Sequence, residues 1–326
     1  MSASAASLGP RTAGTVPDGG DARPPATSPS LLRRVRRSEG VRIVAGLTPA
    51  LVLIGTLFGT AVVLAVTRSL GTGPSGDEGG ATLAAYRRLV ADPEFLPSLA
   101  LTAHVAITST ALAVLLGVGA ALVLRRVGRG SRWLTTLFQL NLPVPHVVGA
   151  VAILALLGQS GLLSRVATRL GAVEGPAAFP ALVFDPYAIG VVAQYVWKEV
   201  PFVGIVALAI LHAVGDDLDD AARTLGAGPW QRLRHVTLPV LLPGVFAAAI
   251  VVFAFAFGAF EVPLLLGRSF PAVLPVLAHR RYTDIDLDAR PEAMAISVVI
   301  TLVVVVAVVL AGWLARRAVW GADHGR

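Results

Sequence analysis

The chain has 326 residues, of which 55% are hydrophobic and 14% are charged, and its mean hydropathy is +0.73. A soluble domain carries about 25% charged residues, so this composition indicates a membrane protein that is surrounded by lipid. The absence of cysteine excludes disulfides, thiolate nucleophiles and cysteine-based metal sites, and the net charge of +7 indicates arginine-rich loops that set topology rather than nucleic-acid binding.

Residues 1–42 predict a disordered tail that ends in a basic segment next to the membrane. Residues 1–32 are rich in Ser, Ala, Gly and Pro and show no apolar period, which is typical of disorder. Five arginines follow between residues 33 and 42. The first apolar run begins at Ile43 and is longer than the apolar region of a secretory signal, so we do not expect a cleaved leader.

Six apolar stretches are long enough to cross a bilayer, whose hydrocarbon core of about 30 Å needs ~20 helical residues. Because that core offers no water to the backbone, we expect an all-α protein with six transmembrane helices. The predicted spans are residues 43–66, 99–124, 134–157, 188–214, 240–266 and 293–315. No internal or inverted repeat is visible, which argues against the common secondary-transporter folds.

Arginine is unevenly distributed between the two sides that these spans define. Most of the arginines lie in residues 1–42, 125–133, 215–239 and 316–326, and fewer lie in the three segments on the other side. Short cytoplasmic loops carry the excess of basic residues. We therefore expect a multi-pass protein with both termini in the cytoplasm, including a short C-terminal tail at residues 317–326.

The stretch from residue 215 to residue 239 predicts two short amphipathic helices joined by an elbow. Four acidic residues favour the start of the first helix, and Gly226–Pro229 breaks it. Trp230 and Leu233 give the second helix an apolar face, and Pro239 and Pro243 stand where the fifth span begins. Lipid headgroups, the helical bundle or a soluble partner could cover these apolar faces, and periodicity alone leaves the choice open. The face of the first helix consists of Leu218, Ala221, Ala222 and Leu225.

The order of residues in this stretch carries a family resemblance. Asp220-Ala221-Ala222, Gly226 four residues later, and then Leu238-Pro239 resemble the cytoplasmic EAA loop of ABC importer permeases of the binding-protein-dependent type. Asp220 replaces the usual Glu, and Leu233 stands where an aromatic residue is frequent. The resemblance continues in N-L-P-V-P-H from Asn141, in V-W-K-E-V-P-F from Val196 and in F-G-A-F-E-V-P-L-L-L-G from Phe257, which is similar to spermidine/putrescine-type permeases.

The resemblance implies a type I ABC importer (MetI-like) permease fold, with a core at residues 98–316 and a peripheral first helix at residues 43–66. It also implies a second permease chain, a separate ATPase subunit that holds ATP and Mg²⁺, an extracytoplasmic solute-binding protein, and a polyamine-like or other small organic substrate. The ATPase-coupling residues would be Asp220, Ala221, Ala222, Gly226, Ala227, Leu233, Leu238 and Pro239.

The chain itself does not contain the motif that an ATP-hydrolysing subunit needs. A phosphate-binding loop requires G-x-x-x-x-G-K followed by Ser or Thr, and the single lysine of the sequence, Lys198, is followed by Glu199. We therefore expect a transport subunit that is no enzyme and holds no cofactor. Asp284, Asp286 and Asp288 alternate as a calcium loop begins, but Ala289 and Ala295 stand where that loop needs Gly and Glu, so we expect no metal site.

Ionisable residues inside the predicted spans are candidates for the substrate pathway. Lys198 and Glu199 lie near the middle of the fourth span, where a charge costs roughly 2.5–3.5 kcal/mol on insertion scales. Pro201 cannot donate to the carbonyl of Trp197, which predicts a kink. Glu261 falls in the outer third of the fifth span. A substrate-facing role and a packing role both remain open for these residues. The candidate pathway residues are Asn141, Gln194, Trp197, Lys198, Glu199, Phe260 and Glu261.

Two other functions fit parts of the sequence. A channel or secondary transporter without an ATPase would explain the spans and the buried charges but gives the 215–239 stretch no role. An assembly or scaffold protein would use that stretch for docking alone.

Overall fold

A computed structural model describes residues 29–72, 81–127 and 132–323. Within these ranges the chain is helical and contains no strand, and six helices are long and apolar enough to cross a membrane. These six are Ile43–Ser69, Phe95–Arg126, His146–Arg169, Ile189–Val214, Pro229–Gly258 and Leu287–Trp313. The predicted all-α architecture with six spans is therefore confirmed.

The chain divides into two compact units between Gly59 and Thr60. The first unit contains the beginning of helix α1 (Pro29–Ser69). In this helix the hydroxyls of Thr48 and Thr56 donate hydrogen bonds to carbonyls of the preceding turn at 2.6 and 2.7 Å. These bonds satisfy the hydroxyls inside an apolar helix. The predicted tail of residues 1–42 overlaps α1 from residue 29, and residues 1–28 lie outside the described residues.

The second unit has two ends, which we call the α2 end and, after helix α8 (Asp217–Thr224), the α8 end. The α2 end contains α2 (Ala84–Ala91), α12 (Leu274–Tyr282) and two 3₁₀ turns, Pro176–Ala178 and Leu287–Ala289. Ion pairs hold its segments together: Arg88–Glu292 at 2.7 Å, Arg280–Glu94 at 3.8 Å and Arg281–Asp92. Asp284 and Asp286 each accept a backbone N–H two residues on, at 3.0 Å, so these carboxylates cap turns.

Long helices form the body of the second unit. Helix α3 (Phe95–Val127) packs along α7 (Ile189–Val214), α10 (Leu238–Gly258) packs against both, and α13 (Arg290–Asp323) packs on α10 and α12. Because α13 extends to Asp323, it includes most of residues 317–326, which the sequence analysis expects to form a short tail.

The closest approach between α3 and α7 is made by two glycines. A Cβ at Gly117 would lie 2.9 Å from the Val200 carbonyl oxygen and 2.9 Å from the Val203 Cβ, and the carbonyl oxygen of Gly117 lies 3.2 Å from a Cβ built at Gly204. Small residues allow membrane helices to approach this closely.

The predicted third span is wrong in position. Residues 134–157 form no continuous helix, because α4 (Arg132–Gln139) is followed by non-helical residues 140–145 and then by α5 (His146–Leu157) and α6 (Leu162–Arg169). Pro143 and Pro145 cause the break, since each lacks an N–H and each disfavours helical geometry in the residue before it. The helix that is long enough to span is His146–Arg169.

The predicted fifth span is also wrong at both ends. Helix α9 (Pro229–Arg232) continues through a π-helical turn (Leu233–Thr237) into α10, so the second amphipathic helix is the beginning of this span and not a separate element. The π turn precedes Pro239, whose missing N–H interrupts ordinary α-helical bonding. At the other end α10 stops at Gly258, and a separate helix, α11, covers Glu261–Leu266.

Candidate functional site

The 215–239 loop begins with helix α8 (Asp217–Thr224), which ends in a glycine turn. Gly226 has a left-handed backbone with φ of +80°. The N–H of Ala227 donates to the Ala222 carbonyl at 3.0 Å, and the N–H of Gly226 donates to the Arg223 carbonyl at 3.0 Å. This pair of bonds is the Schellman motif, which closes a helix and reverses the chain. The elbow predicted from Gly226–Pro229 is therefore confirmed.

One ion pair fixes this loop to the helical bundle, and a second one joins its two arms. Arg125, near the end of α3, donates to the Asp216 carboxylate at 2.6 Å and to the Gly215 carbonyl at 3.1 Å. Arg232 in α9 donates to the Asp219 carboxylate at 2.6 Å, which holds the two arms of the elbow together. The sequence analysis missed both pairs, since Arg125 lies 91 residues before Asp216 and no motif links them.

The anchored loop presents apolar side chains to its surroundings. Leu218 is 50% exposed, Leu225 is 87% exposed and Trp230 is 69% exposed. Among the predicted coupling residues, Asp220, Ala221, Gly226 and Pro239 are exposed, whereas Ala222, Ala227, Leu233 and Leu238 are half-buried. A rigid, partly apolar elbow of this kind can bind a partner with little loss of conformational entropy.

A second group of candidates meets inside the bundle, where α7 passes the break between α4 and α5. We call Asn141, His146, Gln194, Lys198 and Glu199 the polar cluster. Lys198 is 6% exposed, and its ammonium donates to the carbonyls of Asn141 and Leu142 at 2.8 Å and of Val144 at 2.5 Å. The side chain thereby serves three backbone acceptors of the proline-rich break, where regular helical hydrogen bonding stops. The Asn141 carbonyl also accepts from the Val144 N–H at 3.1 Å.

The break between α4 and α5 in turn supplies a hydrogen-bond donor to α7. Pro201 cannot donate to the Trp197 carbonyl, and the side-chain amide of Asn141 donates to that same oxygen. Each irregular segment therefore supplies the hydrogen-bonding group that the other one lacks. Proline is tolerated inside membrane helices where neighbouring helices satisfy the freed backbone group in this way.

The remaining members of the cluster join α5 to α7. The Glu199 carboxylate lies 3.3 Å from His146 Nε2, and the Gln194 amide donates to the His146 carbonyl at 3.0 Å. Gly149 permits this contact, because a Cβ there would lie 2.7 Å from the Gln194 amide nitrogen. The ring of His146 also stacks near Phe255 of α10, with centroids 4.6 Å apart. Three helices thus meet at the cluster.

The structure brings together five of the seven predicted pathway residues and separates the other two. Asn141, Gln194, Trp197, Lys198 and Glu199 lie at the polar cluster, whereas Phe260 and Glu261 lie at the break between α10 and α11. Phe260 packs against His279 with ring centroids 4.7 Å apart. Glu261 is exposed at the first position of α11 and not inside a long span.

Sequence reasoning missed Tyr195, which lies beside the cluster. Its side chain is fully buried, its ring meets Phe255 edge-on at 6.0 Å, and its hydroxyl makes no hydrogen bond within the described part of the chain. The carboxylates of Glu199 and Glu261 both lie within electrostatic reach of this tyrosine. An isolated Tyr in an apolar helix gives no sequence signal of such a position.

Comparison with known proteins gives consistent matches. The family profile of the "Binding-protein-dependent transport system inner membrane component" matches residues 113–319. The molybdenum transport system permease protein ModB of Mycobacterium tuberculosis is 34% identical over 72% of this chain and 84% of its own length. A probable molybdenum ABC transporter permease of Haloferax volcanii is 31% identical over 62% of this chain and 69% of its own.

Two further matches extend the comparison. A putative 2-aminoethylphosphonate transport system permease protein of Salmonella typhimurium is 28% identical over 50% of this chain and 55% of its own. Among solved structures, a bacterial ABC transporter involved in the import of alginate aligns with a TM-score of 0.70 at 18% identity, covering 88% of this chain and 99% of that one. The fold is therefore shared with that transporter.

Proposed function

Since the chain belongs to the family of binding-protein-dependent transport system inner membrane components and is a permease subunit of an ABC importer, we propose that it carries small oxyanions of the molybdate and sulfate class across the membrane. It is a transport component and not an enzyme. The observation that carries the substrate class is the 34% identity to a molybdenum permease over 84% of that protein's length. Relatives named for molybdenum, phosphonate and sulfate transport share the chemistry of a tetrahedral oxyanion.

This proposal replaces the polyamine substrate expected from the sequence. A polyamine pathway needs carboxylates that are free to pair with amines. The Glu199 carboxylate already lies against His146, and the Lys198 ammonium is bound by backbone carbonyls. Neither charge of the polar cluster is available to select a cation.

We propose further that the 215–239 loop docks on a separate ATPase subunit that binds ATP and Mg²⁺. The support is the exposed apolar surface of Leu218, Leu225 and Trp230 on an elbow held by ion pairs. A second permease chain completes the pathway, and a solute-binding protein delivers the oxyanion on the opposite side. The excess of arginine supports a cytoplasmic position of both termini and of this loop. A channel or a secondary transporter would leave the docking surface without a role.

Substrate class is tested by transport in cells that lack this permease. We expect uptake of radiolabelled molybdate or sulfate to fall and to return when the intact gene is restored, while uptake of radiolabelled putrescine is unchanged. The control is a strain that carries the empty vector. Loss of putrescine uptake with normal uptake of both oxyanions would overturn the oxyanion proposal and leave the family assignment intact.

Coupling is tested by a matched pair of glycine variants. Gly226 and Gly171 have left-handed φ angles of +80° and +70°, and a Cβ at either position meets no atom within 4 Å. Alanine therefore adds only backbone strain, about 1–2 kcal/mol at each site. In the purified complex with its ATPase, we expect Gly226→Ala to lower substrate transported per ATP by about 5- to 30-fold, and Gly171→Ala to leave that ratio unchanged. Equal ratios in both variants would contradict coupling through this elbow.

A further inference from the structure

A cleft runs between α3 and α10 and reaches the base of the loop at residues 215–239. Its apolar part has a volume of about 310 Å³ and is lined entirely by aliphatic and aromatic side chains, among them Leu115, Val118, Leu242 and Phe246. Leu115 is 68% exposed and Leu242 is 60% exposed, so the cleft opens outward from the described bundle. Because both helices are membrane spans, lipid acyl chains can reach an opening at this level.

A polar pocket continues the cleft towards the α8 end. This pocket has a volume of about 260 Å³, and its lining includes Leu122, Arg125, Arg126, Arg232 and Thr237. Leu122 follows Val118 of the apolar part by one helical turn, and Thr237 directly precedes Leu238, which lines the apolar part. The two spaces therefore lie along the same faces of the same two helices.

The arginines of this pocket retain unmet hydrogen-bond donors. Arg125 and Arg232 are paired with Asp216 and Asp219, which balances their charges. The guanidinium of Arg126 is exposed and has no hydrogen bond or ion pair within the described residues. The Nε of Arg232 is buried and also lacks a hydrogen-bond partner among them. The pocket thus carries one unbalanced positive charge and two groups able to bind an anion.

The length of the cleft matches one leaflet of a bilayer. Val114 at the apolar end and Arg126 at the polar end are 12 residues apart on α3, or about 18 Å at 1.5 Å per residue. Half of a hydrocarbon core is about 15 Å thick. A lipid whose acyl chain follows the apolar part therefore places its headgroup at the level of Arg126.

We propose that this cleft binds one anionic phospholipid, with its phosphate at Arg126 and Arg232 and an acyl chain along Leu115 and Val118. Charge complementarity selects an anionic headgroup, because the acidic residues of the pocket are already neutralised by their own partners. Basic pockets between transmembrane helices bind such headgroups in other membrane proteins. The site is independent of the transported substrate, so its test does not depend on the oxyanion proposal.

The test uses the full chain in its purified complex, delipidated in detergent and incubated with dioleoylphosphatidylglycerol or dioleoylphosphatidylcholine. Retained lipid is counted by native mass spectrometry. We expect phosphatidylglycerol to be retained at least about fivefold more tightly, the contribution of roughly one arginine at a membrane surface. Arg126→Gln removes this preference and Arg126→Lys keeps most of it. Arg87→Gln is the control for loss of a positive charge, because Arg87 is an exposed arginine of α2 and does not line the cleft.

Occupancy of the apolar part is tested separately by Leu115→Trp, which fills the cleft from an exposed position. We expect weaker retention of both lipids without loss of the permease dimer. Equal retention of the two lipids by the unmodified complex would overturn the proposal, as would an equal effect of the Arg126 and Arg87 variants. Displacement of phosphatidylglycerol by inorganic phosphate at equal concentration would show an anion site alone. Loss of the dimer in Leu115→Trp with unchanged lipid retention would assign the cleft to a second copy of the chain.

Discussion

Replacing Lys198 with Met removes the ammonium that serves the carbonyls of Asn141, Leu142 and Val144. The methionine has a similar length and no charge, so the break between α4 and α5 loses its donor and keeps its packing. We expect this segment to detach from α7 and the folded state to lose stability. Lys198→Arg is expected to have an intermediate effect. An ammonium directs three N–H groups from one nitrogen to three carbonyls, whereas the N–H groups of a planar guanidinium are spread over three nitrogens.

The magnitude follows from the three hydrogen bonds. Such bonds between membrane helices average about 0.6 kcal/mol and reach about 1.7 kcal/mol, so three of them give about 2–5 kcal/mol. In a soluble core each abandoned carbonyl costs about 1–3 kcal/mol, so the Leu142 and Val144 carbonyls together give about 2–6 kcal/mol, which overlaps this range. The Asn141 carbonyl keeps the Val144 N–H as a donor. Methionine also removes the roughly 2.5–3.5 kcal/mol cost of inserting a central charge. That contribution favours insertion of α7, and we expect membrane insertion of the variant to be undiminished.

Unfolding of the full chain in mixed detergent micelles, titrated with sodium dodecyl sulfate, measures this difference. Arg87→Met is the control, since it removes one exposed positive charge whose side chain makes no hydrogen bond or ion pair within the described residues. We expect the control to change the free energy of unfolding by less than about 0.5 kcal/mol. A Lys198→Met variant as stable as this control would refute the assignment of Lys198 as the donor that holds the break.

Two further predictions concern the contacts that α7 makes with the break and with α3. Asn141→Leu leaves the Trp197 carbonyl without a donor and should cost about 1–3 kcal/mol; adding Pro201→Ala should recover much of that loss by restoring the backbone N–H, and a double-mutant cycle that shows simple additivity would contradict the pairing. Gly117→Ala should lower the unfolding midpoint, by about 1–3 kcal/mol in stability, because its Cβ meets α7 at 2.9 Å. Gly119→Ala, whose Cβ meets nothing within 4 Å, should leave the midpoint unchanged or higher, and equal effects of the two variants would argue against close packing of α3 on α7.

The number of spans follows from hydropathy because a bilayer imposes length and apolarity on every crossing helix. Their boundaries do not follow, since residues 134–145 are apolar enough to fill a hydropathy window although Pro143 and Pro145 end the helix. Both prolines were visible in the sequence, and greater weight on them would have moved the third span to its observed position. The continuity of α9 with α10 was less accessible, because a π turn before Pro239 has no sequence pattern of its own.

The candidate sites divide in a similar way. The elbow could be predicted from Gly226, because the left-handed conformation at the end of a helix favours glycine. Lys198 could be predicted as a candidate because a charge in the membrane is costly. Its acceptors could not be predicted, because they are backbone carbonyls, which every residue possesses. No sequence pattern could therefore distinguish the segment 54 to 57 residues away as its partner.

The helical segment from Pro229 to Gly258 is continuous through its π turn, so a movement at one end is transmitted to the other. Its 30 residues extend over about 45 Å, from the arm of the elbow to the break before Glu261. If the elbow is drawn sideways so that this rod tilts by about 5°, the far end moves by about 4 Å, which is close to the width of a carbon chain. A tilt this small at the Arg232 end would therefore be enough to widen or narrow the space at the break before Glu261.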